Sequence, residues 1–258
     1  MELPTITVIT PTLNGEGTIA AALESVASQN YPHLQHLVID AVSSDGTVEI
    51  AKEFPHVEVY SEPDRGLSHA MHKGVHRASG EVIGWLNADD LYEPGALHRV
   101  GRAFAADPEA LWLTGRCHII GADGQEIRRA VTAYKNFLLS RYSHSLYLTQ
   151  NFISAPATFM RRAAIERVGP FDERFQMSMD YDLYLRLAQL RDPIVLDDYL
   201  ASFRMLEGTL SMENFERQFA EHAQNAREHG DGHSGAVLLN RLMSRAIVGV
   251  YKLMRRVR

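Results

Sequence analysis

The chain has 258 residues, of which 45% are hydrophobic, and a formal net charge of −6. This length and apolar content suit one large α/β domain, alone or with a small appendage. The negative charge argues against a nucleic-acid partner. The one cysteine, Cys117, excludes an intramolecular disulfide and is compatible with a reducing compartment. Neither a signal peptide nor the roughly 18 apolar residues of a spanning helix are visible, so we expect a soluble or peripheral protein.

Strands and helices alternate along the first hundred residues. The patterns predict strands over 5–10, 36–40, 57–60 and 81–87, and helices over 16–28, 47–54, 67–75 and from Pro94 onward. We expect Pro11 to end the first strand. Such alternation is typical of an α/β fold with a mostly parallel central sheet flanked by helices.

The fourth predicted strand leads directly into Asn87-Ala88-Asp89-Asp90. Two adjacent carboxylates at the border between a buried sheet and solvent need a cation or hydrogen-bond donors to offset lost hydration. Carboxylate oxygens suit Mg²⁺ or Mn²⁺, and these ions suit a diphosphate. A solvated acidic turn is the simpler alternative, since Asp is common in turns.

Polar residues follow three of the predicted strands. Thr12 and Asn14 follow the first, Asp40 ends the second, and Asp89 and Asp90 follow the fourth. Ligands of parallel α/β sheets bind beyond the carboxyl ends of the strands. This convergence predicts a nucleotide site at that edge.

Two further turns carry polar residues. Arg65 lies between a strand and a helix, where it and the helix N-terminus could contact phosphate. A surface arginine in a tight turn explains the same pattern equally well. For Asp45-Gly46-Thr47 we favour a turn and helix cap.

The ordered set of motifs resembles that of family 2 glycosyltransferases of the bacterial cell-surface saccharide type, which have the nucleotide-diphospho-sugar transferase fold (GT-A). Each motif alone is weak, but the order is specific and spans about residues 5 to 211. The matching segments are 8–14, 25–26, 29–32, 40–47, 61–66, 71–74, 87–90, 156–159, 168–173 and 180–186.

The resemblance implies roles for these residues. The loop from Pro11 to Asn14 would line the base, and Asp40 would accept a hydrogen bond from a base N–H. Asp89 and Asp90 would hold the metal ion. Asp90 is the preferred direct ligand. The implied nucleotide-binding residues are Pro11, Thr12, Asn14, Asp40, Arg65, Asn87 and Asp89.

The chain departs from the family pattern in several places. Asn87 replaces an aspartate, and its amide oxygen could reach the ribose or a metal-bound water. His69 and His72 replace Asp and Asn; two histidines on one helix face can indicate a metal site, but polar pocket or surface residues are favoured. Leu206 stands where many relatives have a histidine, which puts a metal ligand from this loop in doubt, and we expect Glu207 to be a solvent-facing charge.

Asp180 lies at the start of a predicted helix over 178–187. One interpretation is that its side chain caps the N-terminus of this helix. In the family, an acidic residue here removes the proton from the acceptor hydroxyl as that oxygen displaces the diphosphate in line at the anomeric carbon, with inversion. Asp182 would point elsewhere on the helix and support the structure.

The segment after residue 212 lies beyond the family motifs and differs from them in composition. We expect a catalytic domain over 1–212 and a helical extension over 213–258, consisting of a charged helix, a break at 230–235 and an amphipathic helix over 236–258. Its apolar stripe could pack on the same protein or on a partner. Its basic face favours binding to an anionic membrane surface, which would place a cytoplasmic protein peripherally on the inner face of the cell membrane.

The sequence therefore predicts an inverting glycosyltransferase of polysaccharide biosynthesis that uses Mn²⁺ or Mg²⁺. The expected donor is a UDP-sugar and the expected acceptor a lipid-linked or surface saccharide, chosen by the region 134–151. A sugar nucleotidyltransferase would need a basic, glycine-rich phosphate loop, and residues 10–15 contain no Arg or Lys. A non-catalytic sugar-nucleotide sensor would not need Asp180.

Overall fold

The computed structural model describes residues 2–206 and 214–256, with the backbone alone for Phe215 and residues 250–256. The strands are β1 Ile6–Thr12, β2 Leu34–Asp40, β3 Val57–Ser61, β4 Val82–Trp85, β5 Leu91–Tyr92, β6 Trp112–Ile120, β7 Thr158–Arg161 and β8 Ile194–Arg204. The helices are α1 Ile19–Ala27, α2 Thr47–Lys52, α3 Leu67–Arg77, α4 Ala96–Ala106, α5 Arg129–Leu139, α6 His144–Thr149, α7 Arg162–Val168, α8 Met179–Ala188, α9 Phe215–Glu228 and α10 Ser234–Arg256, with a 3₁₀ turn at Ala155–Ala157.

All the strands described belong to one sheet, in the order β3-β2-β1-β4-β7-β6-β8-β5. Its first half is parallel: β1 lies between β2 and β4, and β3 lies outside β2. In the second half β7 runs antiparallel to both β4 and β6, β8 is parallel to β6, and β5 closes the far edge antiparallel to β8. The predicted α/β class is confirmed, and the antiparallel pairs are an addition to it.

Strand β1 is buried along its whole length because helices cover both faces of a parallel sheet. Helix α3 approaches it closely: a β-carbon on Gly74 would lie 2.5 Å from the Ile9 side chain, so only glycine fits there. The prediction that Pro11 ends this strand is wrong. Its partner on β2 is Ile39, and the nitrogen of Pro11 faces the β4 side, where pairing has already ended at Ile9 and Trp85.

The fourth helix begins later than predicted. Pro94 lies in a turn, Gly95 adopts the left-handed conformation with φ 74°, and α4 begins at Ala96. The intervening strand β5 has only two residues and no sequence pattern of its own. Strand β5 follows β4 in the chain but pairs with β8 at the far edge of the sheet. The sheet is therefore strongly curved.

The C-terminal helices α9 and α10 pack on each other and on the body of the protein. Asn225 of α9 donates to the Ser178 carbonyl at 3.1 Å, and Asn240 of α10 donates to the Leu148 carbonyl at 3.0 Å. The predicted domain boundary near residue 212 and the predicted exposure of Glu207 lie outside the described residues.

Helix α10 turns a side of mixed character towards the protein. Asn240 and Ser244 are buried and Met243 and Ile247 are half-buried, whereas Leu238, Leu239 and Leu242 are exposed. About half of each of these leucine side chains is open to solvent. None of the described helices is long and apolar enough to cross a membrane.

Candidate functional site

The parallel half of the sheet brings the predicted polar residues to one edge. Thr12 pairs with Asp40 in the register of β1 and β2, and Ile9 pairs with Trp85 in that of β1 and β4. The segments that follow β1, β2 and β4 therefore leave the sheet side by side.

Asn14 joins the loop after β1 to the loop after β2. Its backbone N–H donates to Ser43 Oγ at 2.8 Å, and its side-chain oxygen accepts from the Ser44 N–H at 2.9 Å. Asn14 has φ 53°, a conformation that asparagine tolerates better than most residues. Thr12 Oγ1 is buried with no hydrogen-bond partner among the described residues, which leaves it available to a ligand.

Asp40 is fully buried and its carboxylate already has partners. It accepts hydrogen bonds from the Ser43 backbone N–H and hydroxyl and from the Ser61 hydroxyl. An ionised carboxylate has about four acceptor sites, so these three donors leave about one site for a base N–H. The base-binding role of Asp40 stays a prediction.

Leu13 belongs to the loop predicted to line the base, whereas Val42 was not singled out in the sequence; both are exposed apolar residues. Val42 has φ 63°, which is strained for a β-branched side chain, and such strain is often found at ligand sites. A single apolar residue in a loop gives no sequence signal.

The two adjacent carboxylates are held differently. Asp90 is fully buried; its Oδ2 accepts from Asn87 Nδ2 at 3.0 Å and its Oδ1 from the Arg204 backbone N–H at 2.9 Å. Asp89 is half-buried. Asn87 is itself fixed, because Trp85 Nε1 donates to its oxygen at 2.7 Å.

Both carboxyl groups have a raised pKa. Burial raises the pKa of Asp90 well above its usual value, and the negative charge of Asp89 raises it further. Burial also raises the pKa of Asp89. A divalent cation would remove this penalty, because it stabilises both ionised carboxylates.

Arg204 is the neighbour of this pair that the sequence did not reveal as a site residue. The guanidinium donates to the carbonyl oxygens of Asp89, Gly121 and Ala122, and its charge lowers the pKa of both carboxyl groups. It comes from the end of β8, more than a hundred residues away, and one arginine in a strand has no local signature.

These residues fit a metal ion that is shared with a substrate. The described residues contain no group of three His, Cys, Asp or Glu side chains that could hold a metal by themselves. Asp89 and Asp90 offer oxygen ligands to Mg²⁺ or Mn²⁺, and a diphosphate can complete the coordination. Direct binding by Asp90 would require it to release Asn87 or the Arg204 N–H, so its rank as first ligand stays a prediction.

Arg65 lies on the surface and is paired with Glu173. Two hydrogen bonds join them, at 2.7 and 3.0 Å, and both side chains are exposed. Their attraction lowers the pKa of Glu173, and the neighbouring His69 and His72 lower it further. An exposed pair of this kind contributes little stability, so a phosphate could displace Glu173.

Asp180 lies in the first turn of α8 and is half-buried. Burial raises its pKa, while hydrogen bonds and the nearby charge of Lys135 lower it. A carboxylate with a raised pKa is a stronger base, which suits proton removal from a hydroxyl. Two residues on, Asp182 is buried and accepts from Arg186 at 2.6 Å and from His229 at 2.8 Å, which agrees with the structural role predicted for it.

Comparison with known proteins identifies the family. The family model described as "Glycosyl transferase family 2" matches residues 7–169, more than half of the chain. The chain belongs to glycosyl transferase family 2. A relative from Mycobacterium bovis named "PGL/p-HBAD biosynthesis glycosyltransferase" is 30% identical over 193 residues, covering 72% of this chain and 70% of the relative. This protein is a glycosyltransferase.

Solved structures agree on the fold of this glycosyltransferase. S. aureus TarS 1-349 in complex with UDP-GlcNAc matches with a TM-score of 0.66 and 19% identity, covering 86% of this chain and 66% of that chain. The mannosyltransferase PcManGT from Pyrobaculum calidifontis, in complex with GDP-Man and Mn²⁺, matches with a TM-score of 0.67 and 18% identity, covering 98% and 81%. The predicted GT-A fold is confirmed.

Proposed function

We propose that this glycosyltransferase moves a sugar from a nucleotide-diphosphate donor, with UDP as the nucleotide, to a hydroxyl of a lipid-linked or surface saccharide, and inverts the anomeric carbon. The observation that carries the proposal is that the segments after β1, β2 and β4 leave the sheet side by side, which brings Thr12, Asp40 and the Asp89-Asp90 pair to one edge. The negative charge of Asp90 raises the pKa of the Cys117 thiol, and the positive charge of Lys135 lowers it. The negative charge of Asp180 in turn raises the pKa of Lys135. Asp180, the proposed base, is thus connected to the carboxylate pair electrostatically through Lys135 and Cys117.

The donor class is supported by the similar structures. TarS is described in complex with UDP-GlcNAc and PcManGT with GDP-Man and Mn²⁺, so both hold a nucleotide-diphosphate sugar. In this chain Asp40, Thr12 and Asn14 would contact the base and ribose. The exposed side chains of Leu13 and Val42 would cover a face of the base.

The chain's own residues have distinct tasks in this proposal. Asp89 and Asp90 would hold Mn²⁺ or Mg²⁺, which when bound offsets negative charge on the diphosphate. Arg65, once released by Glu173, would add a positive charge on the phosphates. Asp180 takes the proton of the acceptor hydroxyl as that oxygen bonds to the anomeric carbon and the nucleoside diphosphate departs on the opposite face. This single displacement inverts the configuration.

A binding experiment tests the donor and the metal together. Titration calorimetry with UDP and with GDP, each with Mn²⁺ and with a chelator, should show preferential UDP binding that depends on Mn²⁺. A thermal-shift measurement should agree, since a ligand at about 100 times its Kd stabilises by roughly 2.7 kcal/mol. Equal UDP affinity with metal and with chelator would disprove metal-assisted binding, and preferential GDP binding would disprove the choice of nucleotide.

We also propose that α10 binds an anionic bilayer, which would place the enzyme on the inner face of the cell membrane beside a lipid-linked acceptor. Its exposed leucines are accompanied by the exposed side chains of Arg241 and Arg245. Four more basic residues follow in the sequence, Lys252, Arg255, Arg256 and Arg258. An apolar face with adjoining positive charge is the pattern of an interfacial helix, and each basic residue near the surface contributes about 1 kcal/mol.

Co-sedimentation with vesicles tests this location. Binding should be stronger to phosphatidylcholine vesicles that contain phosphatidylglycerol, and should weaken as salt screens the charges. The Leu238→Glu/Leu242→Glu variant should bind less, whereas Leu190→Glu, at an exposed leucine after α8, should not change binding. Equal binding to vesicles with and without phosphatidylglycerol would contradict the proposal. A change from dimer to monomer in the double variant would instead indicate that this face is a dimer interface.

A further inference from the structure

Helix α9 contacts the start of α8, the helix that carries Asp180. Asn225 Nδ2 donates to the Ser178 carbonyl at 3.1 Å and to Ser178 Oγ at 2.9 Å. Glu221 Oε2 accepts from the Met177 backbone N–H at 2.8 Å and from the Ser178 hydroxyl at 3.3 Å. Ser178 is the N-cap residue of α8, and Asp180 lies two residues later in the first turn. Two side chains of α9 thus hold the backbone that leads into the proposed base.

These contacts are shielded from solvent. Glu221, Asn225 and Ser178 are all buried. Arg217, one turn earlier on α9, donates to Glu221 Oε1 at 2.8 Å, so the Glu221 carboxylate accepts hydrogen bonds on both of its oxygens. Hydrogen bonds to a charged acceptor are stronger than those between neutral groups, and a negative charge is favourable at a helix N-terminus. The Glu221 carboxylate is therefore well suited to fix the start of α8.

The Asn225 amide is used as a donor only. Its Oδ1 atom is buried and has no hydrogen-bond partner among the described residues. A buried acceptor without a partner costs free energy, so an apolar side chain of similar size would stabilise this interface about as well. What the amide adds is a fixed place for Ser178.

Helix α3 contacts the same segment of chain at other residues. Ser68 Oγ donates to the Phe175 carbonyl at 3.1 Å and lies 2.8 Å from Met179 Sδ. Helix α3 begins directly after the turn that contains Arg65, the residue proposed to contact phosphate. The segment that leads into Asp180 is therefore held both by the helix of that turn and by α9.

We propose that Glu221 and Asn225 are positioning residues, which hold the first turn of α8 so that the Asp180 carboxylate is correctly placed to take the proton of the acceptor hydroxyl. The inference rests on the proposed role of Asp180 as base. Placement of a reacting group matters, because an error of about 1 Å can lower a rate by about 100-fold. Helix α9 lies beyond residues 7–169, which the family model matches, so the family motifs did not indicate it.

Asn225→Leu removes the donor at nearly constant volume. Ser178 keeps other partners, since its carbonyl accepts from the Asp182 N–H at 3.1 Å and its hydroxyl donates to Glu221, so the variant should fold. Hydrogen exchange at the Asp182 amide should become faster, because the first turn of α8 is held less firmly. In hydrolysis of UDP-GlcNAc with Mn²⁺, where water replaces the acceptor, kcat should fall by about 10-fold with KM nearly unchanged.

Gln224→Ala is the matched control. It removes an amide one residue away on α9, whose partner Glu228 is exposed, and should change neither the exchange at Asp182 nor kcat.

A double variant shows whether Asn225 acts through Asp180. Asp180→Asn/Asn225→Leu should hydrolyse UDP-GlcNAc no more slowly than Asp180→Asn, because the group that Asn225 places is already absent. A further loss equal to that of Asn225→Leu alone would indicate a general loosening of the protein and would overturn the inference.

The single variants separate this inference from the proposed mechanism. A parental kcat in folded Asn225→Leu, while Asp180→Asn is slow, would overturn the inference. If Asp180→Asn itself retains the parental kcat, Asp180 is not the base and the proposed mechanism fails instead. Exchange at the Asp182 amide then still decides whether Asn225 orders the turn.

Glu221→Gln keeps the test open if Asn225→Leu does not fold. This variant retains an oxygen for the Met177 N–H but loses the charge that strengthens the hydrogen bond. Its kcat should fall with KM nearly unchanged, and it should add no loss to Asp180→Asn. A parental kcat in the folded Glu221→Gln protein would overturn the role of Glu221.

Discussion

At the scale of single residues, the buried carboxyl of Asp90 is the most demanding feature of the site. An isolated buried carboxylate costs several kcal/mol unless donors or a cation offset the lost hydration. Asn87 and the Arg204 backbone each donate one hydrogen bond, and the Arg204 guanidinium binds the Asp89 carbonyl at 2.9 Å. Arg204 therefore maintains the shape of the carboxylate loop when no cation is bound.

Arg204→Met should show this dependence. The variant removes a buried charge and leaves the carbonyls of Gly121 and Ala122 without their donor, so unfolding by urea should show a loss of about 3 kcal/mol. Metal-dependent UDP binding should also weaken. The control is Arg99→Met, since Arg99 pairs with Asp198 at the surface and its loss should cost less than about 1 kcal/mol. Equal losses in the two variants would contradict the role given to Arg204.

Asp180 and Asp182 provide a matched pair, because the same substitution can be made two residues apart on α8. Asp180→Asn should reduce transfer by about 100-fold or more, since it removes the base, and should leave UDP affinity unchanged. Asp182→Asn should leave transfer per folded molecule nearly unchanged but cost about 3 kcal/mol of stability, because it weakens a buried pairing with Arg186 and His229.

Steady-state rates with chemical denaturation of each variant distinguish these effects. If Asp180→Asn transfers sugar at the parental rate, Asp180 is only a first-turn residue of α8 and another group is the base.

At the scale of elements, α10 has an unusual orientation. An amphipathic helix normally buries its apolar stripe, yet here Asn240 and Ser244 face the protein while Leu239 and Leu242 are exposed. The reason lies in the partner: the last turn of α6 presents the Leu148 carbonyl, and the Asn240 amide satisfies it. This hydrogen bond helps to fix which side of the helix faces the protein.

Substitutions on α10 should therefore rank in an unusual order. Asn240→Ala removes a buried hydrogen bond to the Leu148 carbonyl, which keeps the Tyr181 hydroxyl as a donor, and should cost about 1 kcal/mol. Leu239→Ala, at an exposed position, should change stability by less than about 0.5 kcal/mol. Urea unfolding of both variants checks the ranking, and a larger loss for Leu239→Ala would mean that the leucines are buried.

The sequence predicted some elements well and others not at all, for physical reasons. Strands β1 to β4 and their helices were identifiable because each is a local pattern of apolar residues with turn residues between. Strand β5 has only two residues, and its position depends on pairing with β8, a contact distant in sequence. The amphipathic pattern of α10 identified a helix but not its orientation, since the Asn240 partner belongs to another helix.

The same distinction holds within the site. Asp89, Asp90 and Asp180 could be predicted as site residues because they occupy motifs, whereas Arg204 acts through contacts that only the folded chain creates. The buried state of Asp90 was also hidden, since a carboxylate in a turn has the same sequence pattern whether it faces solvent or protein.

At the scale of the whole molecule, buried histidines make stability depend on pH. Burial lowers the pKa of His36 to about 3 and that of His222 to about 4, from an ordinary value of 6.5. Between these values and 6.5 the unfolded chain binds protons that the folded chain does not. The two histidines therefore lower the free energy of unfolding as pH falls through this window, by up to about 1.4 kcal/mol per pH unit each.

His222→Phe should reduce this pH dependence. His222 packs edge-to-face on Tyr181 and Phe219, and its Nε2 has no partner among the described residues, so phenylalanine is a close substitute. Between pH 6 and pH 4.5 the variant should lose stability less steeply than the parent, by roughly 1 kcal/mol per pH unit. Urea unfolding across this range measures the slopes, and parallel slopes would show that His222 is protonated in the folded state.

The bond between Asp90 and Arg204 also has a consequence for the order in which the protein matures. A ribosome produces the carboxylate loop more than a hundred residues before the end of β8, and that strand must dock before the loop acquires its arginine. Contacts so distant in sequence form late in folding. An incomplete chain would carry both carboxylates without Arg204 to offset them, so the proposed binding of a metal nucleotide should become possible only after nearly the whole sheet has been synthesised.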